Sequence, residues 1–404
     1  MIDPFAWLAL LGIPGHVSWL LWLGNSLHAR PIHHHTLKLV TRALNSWLVV
    51  GAVAAFVWAG GRIAAALGYA LPESLHLLDR SLPPAWRVYV AVCVVNTLVG
   101  FVPWLVRRLT FREADALLSD EVRLLDLRKE TKAPHVHSLR ARLLTAVPGN
   151  QALQLAVHTK RLRIPRLPAA LTGLRIAHLS DLHLTGELDR RIYEYFVELT
   201  HSLEPDLVAL TGDLVEKTPC WDWLPGTLGR LQARFGTYFV LGNHDIRIDH
   251  ERTRQVLVES GLVNLGAACR RIDVRGIEVL LAGNELPWLG PPPRLEPLER
   301  PRNLESFRIL LAHTPDELPW ARRHDFDLML AGHVHGGQIQ IPPLGPILAP
   351  SMHGVHYASG VFHEPPTVLH VGRGTSGKLP LRFFCPPELT LLILEPEVGT
   401  DASS

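Results

Sequence analysis

Cysteine is scarce in this chain of 404 residues, and an excess of charge of either sign is lacking. The four cysteines lie far apart and form no Cys-x-x-Cys pair, so a disulfide framework is not expected and free thiols fit a reducing compartment. The 40 basic residues nearly balance the 38 acidic ones, which leaves a formal net charge of +2. This balance gives no support for a nucleic-acid partner.

Apolar residues are abundant, at 47% of the chain, and the mean hydropathy of +0.14 is high for a soluble enzyme. The excess lies in three runs of roughly bilayer-spanning length, at residues 5–23, 44–71 and 86–106. A secretory signal explains the first run poorly, because Asp3 and no basic residue precedes it. We therefore predict a transmembrane helical module of about three spans over residues 1–109.

Basic residues cluster at two places beside these runs. One cluster lies between the first and second runs, and the other follows the third: Arg30, Lys38 and Arg42, then Arg107, Arg108 and Arg112. The positive-inside rule places both clusters, and everything after residue 106, on the cytoplasmic side of a multi-pass membrane protein. With only two spans the clusters would fall on opposite sides, so the charge pattern favours three.

Residues 110–150 are charged, and their apolar residues recur with helical spacing, as in the stretch from Glu121 to Leu125. This pattern predicts an amphipathic connector that lies on the membrane or packs against the following domain. From residue 151 to 398, short apolar runs alternate with amphipathic stretches, which is typical of an α/β domain. Residues 399–404 form a tail.

Five short apolar runs in this domain each end in polar residues. They are predicted strands, with helices between them over 189–203 and 251–260. Because strands of an open sheet point their carboxyl ends to one edge, we expect these polar side chains to converge. The five runs are 174–179 before Asp181 and His183, 207–210 before Asp213, 238–241 before Asn243, His244 and Asp245, 307–312 before His313, and 328–331 before His333 and His335.

The residue types at these strand ends are those of a metal site. Carboxylate, imidazole and amide oxygen are suitable ligands for Mn, Fe, Zn and similar divalent ions. Glycines precede Asp213, Asn243 and His333, where they permit close approach of the backbone and unusual dihedral angles. Taken singly, Asp213 could cap a helix, Asn243 could form a turn and His313 could be a core histidine, but their joint order outweighs those interpretations.

The ordered blocks Asp-x-His, Gly-Asp, Gly-Asn-His-Asp, a lone His and Gly-His-x-His resemble the motif set of calcineurin-like metallophosphoesterases, over residues 174–337. The resemblance implies an α/β sandwich of two sheets flanked by helices. The form Gly-His-Val-His-Gly-Gly-Gln, together with the membrane module, is similar to a bacterial branch of membrane-associated phosphodiesterases. That likeness implies a bacterial inner (cytoplasmic) membrane location, and the charge pattern places the catalytic domain on the cytoplasmic side.

The resemblance also implies residue roles around two divalent metal ions, with Mn favoured and Fe, Zn, Co or Mg as alternatives. One ion would be held by Asp181, His183, Asp213 and His335, and the other by Asp213, Asn243, His313 and His333. A water bridging the two ions would be the nucleophile. His244 would face the leaving group, and Asp245 would orient its imidazole.

A second motif lies downstream. Residues 372–378 match most of a phosphate-binding P-loop, but Leu379 stands where the Ser or Thr ligand of Mg²⁺ belongs, and Pro380 would disturb the helix that must come next. We predict a turn that leads to a late strand at 389–394.

The sequence thus predicts an enzyme, a metal-dependent phosphodiesterase or pyrophosphatase. Its expected partners are membrane lipids and a phosphorylated small molecule or lipid-linked substrate, such as UDP-2,3-diacylglucosamine. A phosphomonoesterase or phosphoprotein phosphatase is the alternative, although such phosphatases usually carry basic residues after Gly-Asp, where this chain has Leu214, Val215 and Glu216. A non-catalytic membrane receptor or scaffold is a further alternative, which the full ligand set disfavours. The oligomeric state stays open.

Overall fold

A computed structural model of the chain describes residues 4–69, 83–131, 136–295 and 306–397. The chain divides into two compact units, Met1–Arg112 with Pro343–Gly354, and Glu113–Pro342 with Val355–Ser404. The predicted tail at 399–404 lies outside the described residues.

The first unit is helical. Three of its helical segments are long and apolar enough to cross a membrane: Pro4–His28, His35–Ala66 and Pro84–Leu109. The three predicted apolar helices are therefore present, and Gly60 and Gly61 do not interrupt the second one. The elements are α1 (Pro4–His28), α2 (His34–Ala66), α3 (Pro84–Asn96), a π turn (Thr97–Phe101) and α4 (Val102–Leu109), with a short strand at Gly345–Pro346.

A buried threonine joins two of these helices. Pro14 lies inside α1, and next to it the Thr97 hydroxyl accepts a hydrogen bond from the Gly15 N–H and lies 2.8 Å from the Leu11 carbonyl. Gly15 is required here, because a Cβ at this position would collide with the Cys93 carbonyl. Small residues and interhelical hydrogen bonds of this kind hold apolar helices together where water is excluded.

The second unit is a sandwich of two sheets, as the resemblance implies. The first sheet has the order β1-β2-β15-β3-β4-β5-β6 and the second the order β13-β14-β10-β9-β8-β7. The strands are β1 (Leu117–Asp126), β2 (Gln154–Ile164), β3 (Arg175–Leu179), β4 (Leu207–Thr211), β5 (Thr237–Val240), β6 (Val263–Asn264), β7 (Cys269–Val274), β8 (Ile277–Asn284), β9 (Ser306–Ala312), β10 (Leu328–Ala331), β11 (Gln340–Ile341), β12 (the Gly345–Pro346 strand of the first unit), β13 (Gly360–Glu364), β14 (Thr367–Val371) and β15 (Glu388–Pro396).

Successive side chains of a strand point to opposite faces of its sheet, and the apolar ones form two buried layers. Ile176 of β3, Ile309 of β9 and Leu330 of β10 belong to a fully buried core lined by both sheets. The alternate residues of the first sheet, such as Ala177, pack against helices on its other face. The helices of this unit are α5 (Leu127–Thr131), α6 (Leu139–Thr145), α7 (Arg190–Ser202), α8 (His250–Glu259) and α9 (Leu318–Arg323), and α7 and α8 match the two predicted helices.

The helical interpretation of residues 110–150 is wrong for its central part. Residues 117–126 form β1, which pairs antiparallel with β2 and places Val122 opposite His158. Apolar residues at 122, 124 and 125 fit both a helical and a strand spacing, so their pattern alone could not decide. Residues 117–126 form a strand because their backbone groups hydrogen-bond to β2.

A buried ion pair within the first sheet reaches a histidine of the second. Lys160 of β2 lies 2.6 Å from Glu388 of β15, and its ammonium is 3.2 Å from the Nε2 atom of His370 on β14 of the other sheet. All three side chains are almost fully buried. Burial, and next the Lys160 charge, lower the pKa of His370 to about 4, so this ring is neutral and its Nε2 accepts from Lys160.

Replacing Lys160 by methionine is expected to destabilise the second unit by about 3–5 kcal/mol, because the Glu388 carboxylate would stay buried without its ammonium partner. The matched control is Arg161→Met, the adjacent residue, whose surface pair with Glu395 is expected to contribute less than about 1 kcal/mol. Denaturant unfolding of the detergent-solubilised chain measures both. Equal effects of the two substitutions would contradict the assigned role of the buried pair.

Candidate metal centre

The carboxyl ends of five strands meet at one edge of the sandwich, and there the structure brings together all seven ligand residues that the resemblance implies. They follow β3, β4 and β5 in the first sheet and β9 and β10 in the second. Most are almost completely shielded from solvent. The seven are Asp181 and His183, Asp213, Asn243, His313, and His333 and His335.

One group of side chains is formed by Asp181, His183 and His335, whose ligand atoms lie within 4.8 Å of one another. The Nε2 atoms of His183 and His335 face each other at 3.1 Å, and the two rings are stacked. The Asp181 carboxylate lies 3.5 Å from His335 Nε2.

A second group is formed by Asp213, His313 and His333. His333 Nδ1 and His313 Nε2 are 3.1 Å apart, and the Asn243 amide oxygen is also 3.1 Å from His313 Nε2. One oxygen of Asp213, Oδ2, is 3.3 Å from His313 Nε2 and 3.6 Å from His183 Nε2 of the first group. This carboxylate therefore lies between the two groups.

The donor set fits divalent cations. Four imidazole nitrogens and two carboxylates point into one buried space. The nitrogens of His183 and His335, and those of His313 and His333, face each other at 3.1 Å. Neutral rings cannot donate a hydrogen from all four of these nitrogens. Burial opposes protonation of His313, yet the adjacent Asp213 charge raises its pKa to about 9. Buried carboxylates beside imidazole nitrogens are a donor set whose charge a bound cation would neutralise.

The ligand residues stand on backbone that amino acids with side chains rarely adopt. Five of the seven have φ in the left-handed region: Asp181 at 52°, His183 at 44°, Asp213 at 53°, His333 at 71° and His335 at 50°. Conformations of this kind cost about 1–3 kcal/mol each and persist where the surroundings impose them. Here the loops restrain one another, because the Asp181 and His183 N–H groups donate to the carbonyls of Gly212 and Asp213.

Two glycines allow the loops to approach this closely. A Cβ at Gly242 would collide with the Asp213 carboxylate, and one at Gly332 would collide with the Asp181 carboxylate. The expectation that glycines at these positions serve close approach agrees with both contacts.

Hydrogen bonds on the far side of the rings orient the imidazoles. His313 Nδ1 donates to the Thr211 carbonyl at 2.8 Å, and His183 Nδ1 donates to Glu216 at 2.8 Å. When a cation takes the place of the Nε2 proton, the Nε2 lone pair of each ring would point at the centre, as metal-binding histidines require. The Arg382 guanidinium faces His335 Nδ1 at 3.1 Å, and burial followed by this charge lowers the pKa of His335 well below its usual value.

The Thr211 side chain continues this arrangement into the core. Its hydroxyl lies 2.8 Å from His178 Nε2, and His178 Nδ1 lies 2.8 Å from His370 Nδ1. Burial, and next the neighbouring His370, lower the pKa of His178 well below its usual value, so both rings are neutral. A chain of hydrogen bonds can then run from Lys160 through His370 and His178 to Thr211, which links the buried ion pair to the strand that precedes Asp213.

The prediction that Asp245 orients the His244 imidazole is wrong. Its carboxylate is fully buried and accepts hydrogen bonds from the backbone N–H groups of Leu214, Val215 and Gly242. It fastens the loops after β4 and β5 to each other and does not bond to the His244 ring. Its position one residue after His244 suggested an orienting contact, but the turn directs the two side chains apart.

The carboxylate that contacts the His244 imidazole is Glu216, which the sequence pattern did not single out as a functional residue. Glu216 pairs with Nδ1 of both His244 and His183, and the two histidines hold its pKa well below its usual range against the opposing effect of burial. Its signal in the sequence is an acidic residue three positions after Asp213. The Glu216 contacts therefore join the candidate catalytic histidine to a metal-ligand histidine.

Two further segments adjoin the centre. Trp288 belongs to the proline-rich segment 286–301, of which residues 296–301 lie outside the described part. Its indole lies 4.7 Å from the His333 ring.

The P-loop-like segment at 372–378 is a turn, as predicted. Thr375 N–H donates to the Ser180 carbonyl and Ser376 N–H to the Asp181 carbonyl, so this turn supports the first ligand loop.

Comparisons with known proteins agree with this geometry. Residues 174–337 match the calcineurin-like phosphoesterase family. The chain is 30% identical over 242 residues to the uncharacterized metallophosphoesterase YkuE of Bacillus subtilis, covering 57% of this chain and 82% of the relative. It is 30% identical to the phosphodiesterase YaeI of Escherichia coli (54% of this chain, 82% of the relative) and 31% identical to a bovine transmembrane protein with metallophosphoesterase domain (61% and 58%).

Replacing Glu216 by glutamine is expected to weaken Mn²⁺ binding by about 10- to 100-fold, because the neutral amide holds the His183 ring less firmly than the carboxylate does. Glu198→Gln, an exposed acid on α7, serves as the matched control and should leave binding unchanged. Calorimetric titration of the metal-free chain with Mn²⁺ gives both affinities. Unchanged binding by Glu216→Gln would show that this carboxylate does not support the metal ligands.

Proposed function

Since the chain belongs to the calcineurin-like phosphoesterase family and is thereby a metal-dependent phosphoester hydrolase, we propose that it is a membrane-anchored phosphodiesterase or pyrophosphatase that works with two divalent ions. The observation that carries this proposal is the Asp213 carboxylate, whose Oδ2 atom lies between His183 and His313. A carboxylate shared by two ligand groups is what a two-ion centre needs.

Each ion has a set of ligands in this proposal. Asp181, His183, Asp213 and His335 would hold one ion, and Asp213, Asn243, His313 and His333 the other, with Mn²⁺ favoured. When bound, the ions would supply an acidified water as nucleophile and neutralise charge on the phosphoryl oxygens. The chain itself contributes the orientation of the rings and the exclusion of water, through Thr211 and Glu216 behind the imidazoles.

His244 is the candidate proton donor. Its side chain is more exposed than those of the ligand histidines, at 16% against 11% for His335, and its Nδ1 is held by Glu216, which leaves Nε2 for a substrate. Burial lowers the pKa of His244, against the pull of Asp213, so the protonated ring would release its Nε2 proton readily to a leaving oxygen. Glu216 holds the ring as a positioning residue.

The membrane part of the proposal is supported by the three apolar helices and by the bovine relative, which is called a transmembrane protein. In this proposal the chain crosses a bacterial inner membrane three times, and the positive-inside rule places the catalytic unit on the cytoplasmic side. A lipid-linked phosphodiester or diphosphate, of which UDP-2,3-diacylglucosamine is one example, is the proposed substrate class. The acidic Glu216 beside His244 would repel the dianion of a phosphomonoester, which disfavours the phosphatase alternative.

Chelation is expected to abolish hydrolysis of bis(p-nitrophenyl) phosphate by the detergent-solubilised chain, and Mn²⁺ is expected to restore it, because the ligand residues alone offer no acidified nucleophile. A panel of Mn²⁺, Zn²⁺, Fe²⁺, Co²⁺ and Mg²⁺ would rank the ions. Full activity after complete removal of metal would refute the proposed chemistry.

His244→Ala is expected to lower kcat by about 10²- to 10⁴-fold while leaving the metal content unchanged, because this ring moves a proton and binds no ion. His250→Ala, a partly exposed histidine at the start of α8, is the matched control and should behave as the unmodified chain. Turnover and elemental analysis are measured on the same preparations. Loss of metal from His244→Ala would reassign this residue as a ligand.

A further inference from the structure

The catalytic unit exposes several large apolar side chains close to its metal-ligand loops. Leu139 and Leu143 of α6 are 72% and 64% exposed, and Phe384 is 64% exposed. Val147, Ile339 and Ile341 are exposed as well. A soluble domain rarely leaves an apolar surface of this kind in water without a partner for it.

Hydrogen bonds join the segments that carry these side chains. The Asn150 amide donates to the Leu144 carbonyl at 2.7 Å and to the Pro380 carbonyl at 2.8 Å. The Gln340 N–H donates to the Phe383 carbonyl at 3.0 Å. Segments 139–151, 338–341 and 380–384 therefore lie next to one another, and we call their exposed side the apolar rim.

The charge on the apolar rim has one sign. Arg140 and Arg142 are exposed on α6 and flank the leucines, while the three segments contain no Asp or Glu. Arg128 reaches the same place, since its guanidinium donates to the Thr145 carbonyl at 3.1 Å. Exposed leucines interleaved with arginines are typical of segments that lie in the interface of an anionic bilayer.

We propose that the apolar rim is a lipid-contact surface that seats the catalytic unit on an anionic membrane. A bilayer is the occupant that the observations favour, because its headgroups complement the arginines, its acyl region takes the leucines and Phe384, and the same chain carries three helices able to span it. A protein partner would have to bring its own acidic residues to this surface.

The apolar rim borders the metal centre, and this gives it a role in substrate access. Ile339 follows His335 by four residues, and Arg382, within the 380–384 segment, donates to the His335 carbonyl at 2.8 Å. An amphiphilic phosphodiester could keep its acyl chains in the bilayer at the rim while its phosphate reaches the metal-ligand loops. This second step rests on the proposed function, whereas membrane contact does not.

Fluorescence quenching tests membrane contact in the full chain. Cys269 is the exposed native cysteine and is replaced by serine, while Cys93, Cys220 and Cys385 are buried. A bimane label is attached at Leu143→Cys or at the control Val258→Cys, an exposed position on α8, and the protein is reconstituted in phosphatidylglycerol–phosphatidylcholine vesicles containing doxyl lipid.

Quenching at position 143 is expected to be about twofold or more stronger than at 258, and to weaken without phosphatidylglycerol. Equal quenching at both positions would overturn the lipid-contact assignment. The assignment would also be overturned if doxyl lipid did not quench the label at 143 and the label became shielded from solvent as the protein-to-lipid ratio rose. That result would assign the apolar rim to contact with a second copy of the chain.

Activity on two substrates tests the access step. The variant Leu139→Glu/Leu143→Glu is expected to hydrolyse a p-nitrophenyl hexadecyl phosphodiester embedded in these vesicles about tenfold more slowly, because added carboxylates repel the anionic surface. Its rate on soluble bis(p-nitrophenyl) phosphate should not change, and Val258→Glu should change neither rate.

The outcomes separate the two proposals. Equal effects of the double substitution on both substrates would overturn the access step. Failure of the unmodified chain to hydrolyse the soluble substrate would instead overturn the proposed function, and the quenching result would still decide whether the apolar rim contacts lipid.

Discussion

The structure depends on one carboxylate, Asp213, which lies 3.3 Å from an imidazole of one ligand group and 3.6 Å from an imidazole of the other. That position requires left-handed backbone at Asp213 itself and a neighbouring residue without a Cβ at Gly242. It also requires the loops after β4 and β5 to stay together, which the buried Asp245 carboxylate achieves through three backbone N–H groups. The fold around the site therefore serves to hold this oxygen between two sets of imidazoles.

The arrangement is costly without a cation. Carboxylates and imidazoles lose their hydration on burial, and the left-handed conformations add strain. The buried pair of Lys160 and Glu388, and the neutral histidines between it and Thr211, connect the two sheets beneath the strand ends and oppose their relaxation. Metal binding would then contribute to the stability of the catalytic unit as well as to its chemistry.

Much of this could be predicted from the sequence, because the five polar blocks are local and each follows an apolar run whose length and pattern indicate a buried strand. The strand β1 could not be predicted, because the spacing of Val122, Leu124 and Leu125 fits a helix equally well. Only pairing with β2 makes this segment a strand. The contact of Glu216, rather than Asp245, with the His244 ring also could not be predicted from the sequence. Adjacency to His244 favoured Asp245, whereas the contact depends on the course of the loop after β4, in which the Glu216 N–H donates to the Leu184 carbonyl.

Electron paramagnetic resonance of the metal-free chain titrated with Mn²⁺ tests the shared role of Asp213 most directly. Two ions joined by this carboxylate are expected to lie about 3.5–4 Å apart, so the spectrum of isolated Mn²⁺ should give way to that of an exchange-coupled pair as the second equivalent binds. Asp213→Asn should lose the coupling. Saturation at one ion per chain, or two ions with uncoupled spectra, would contradict the account.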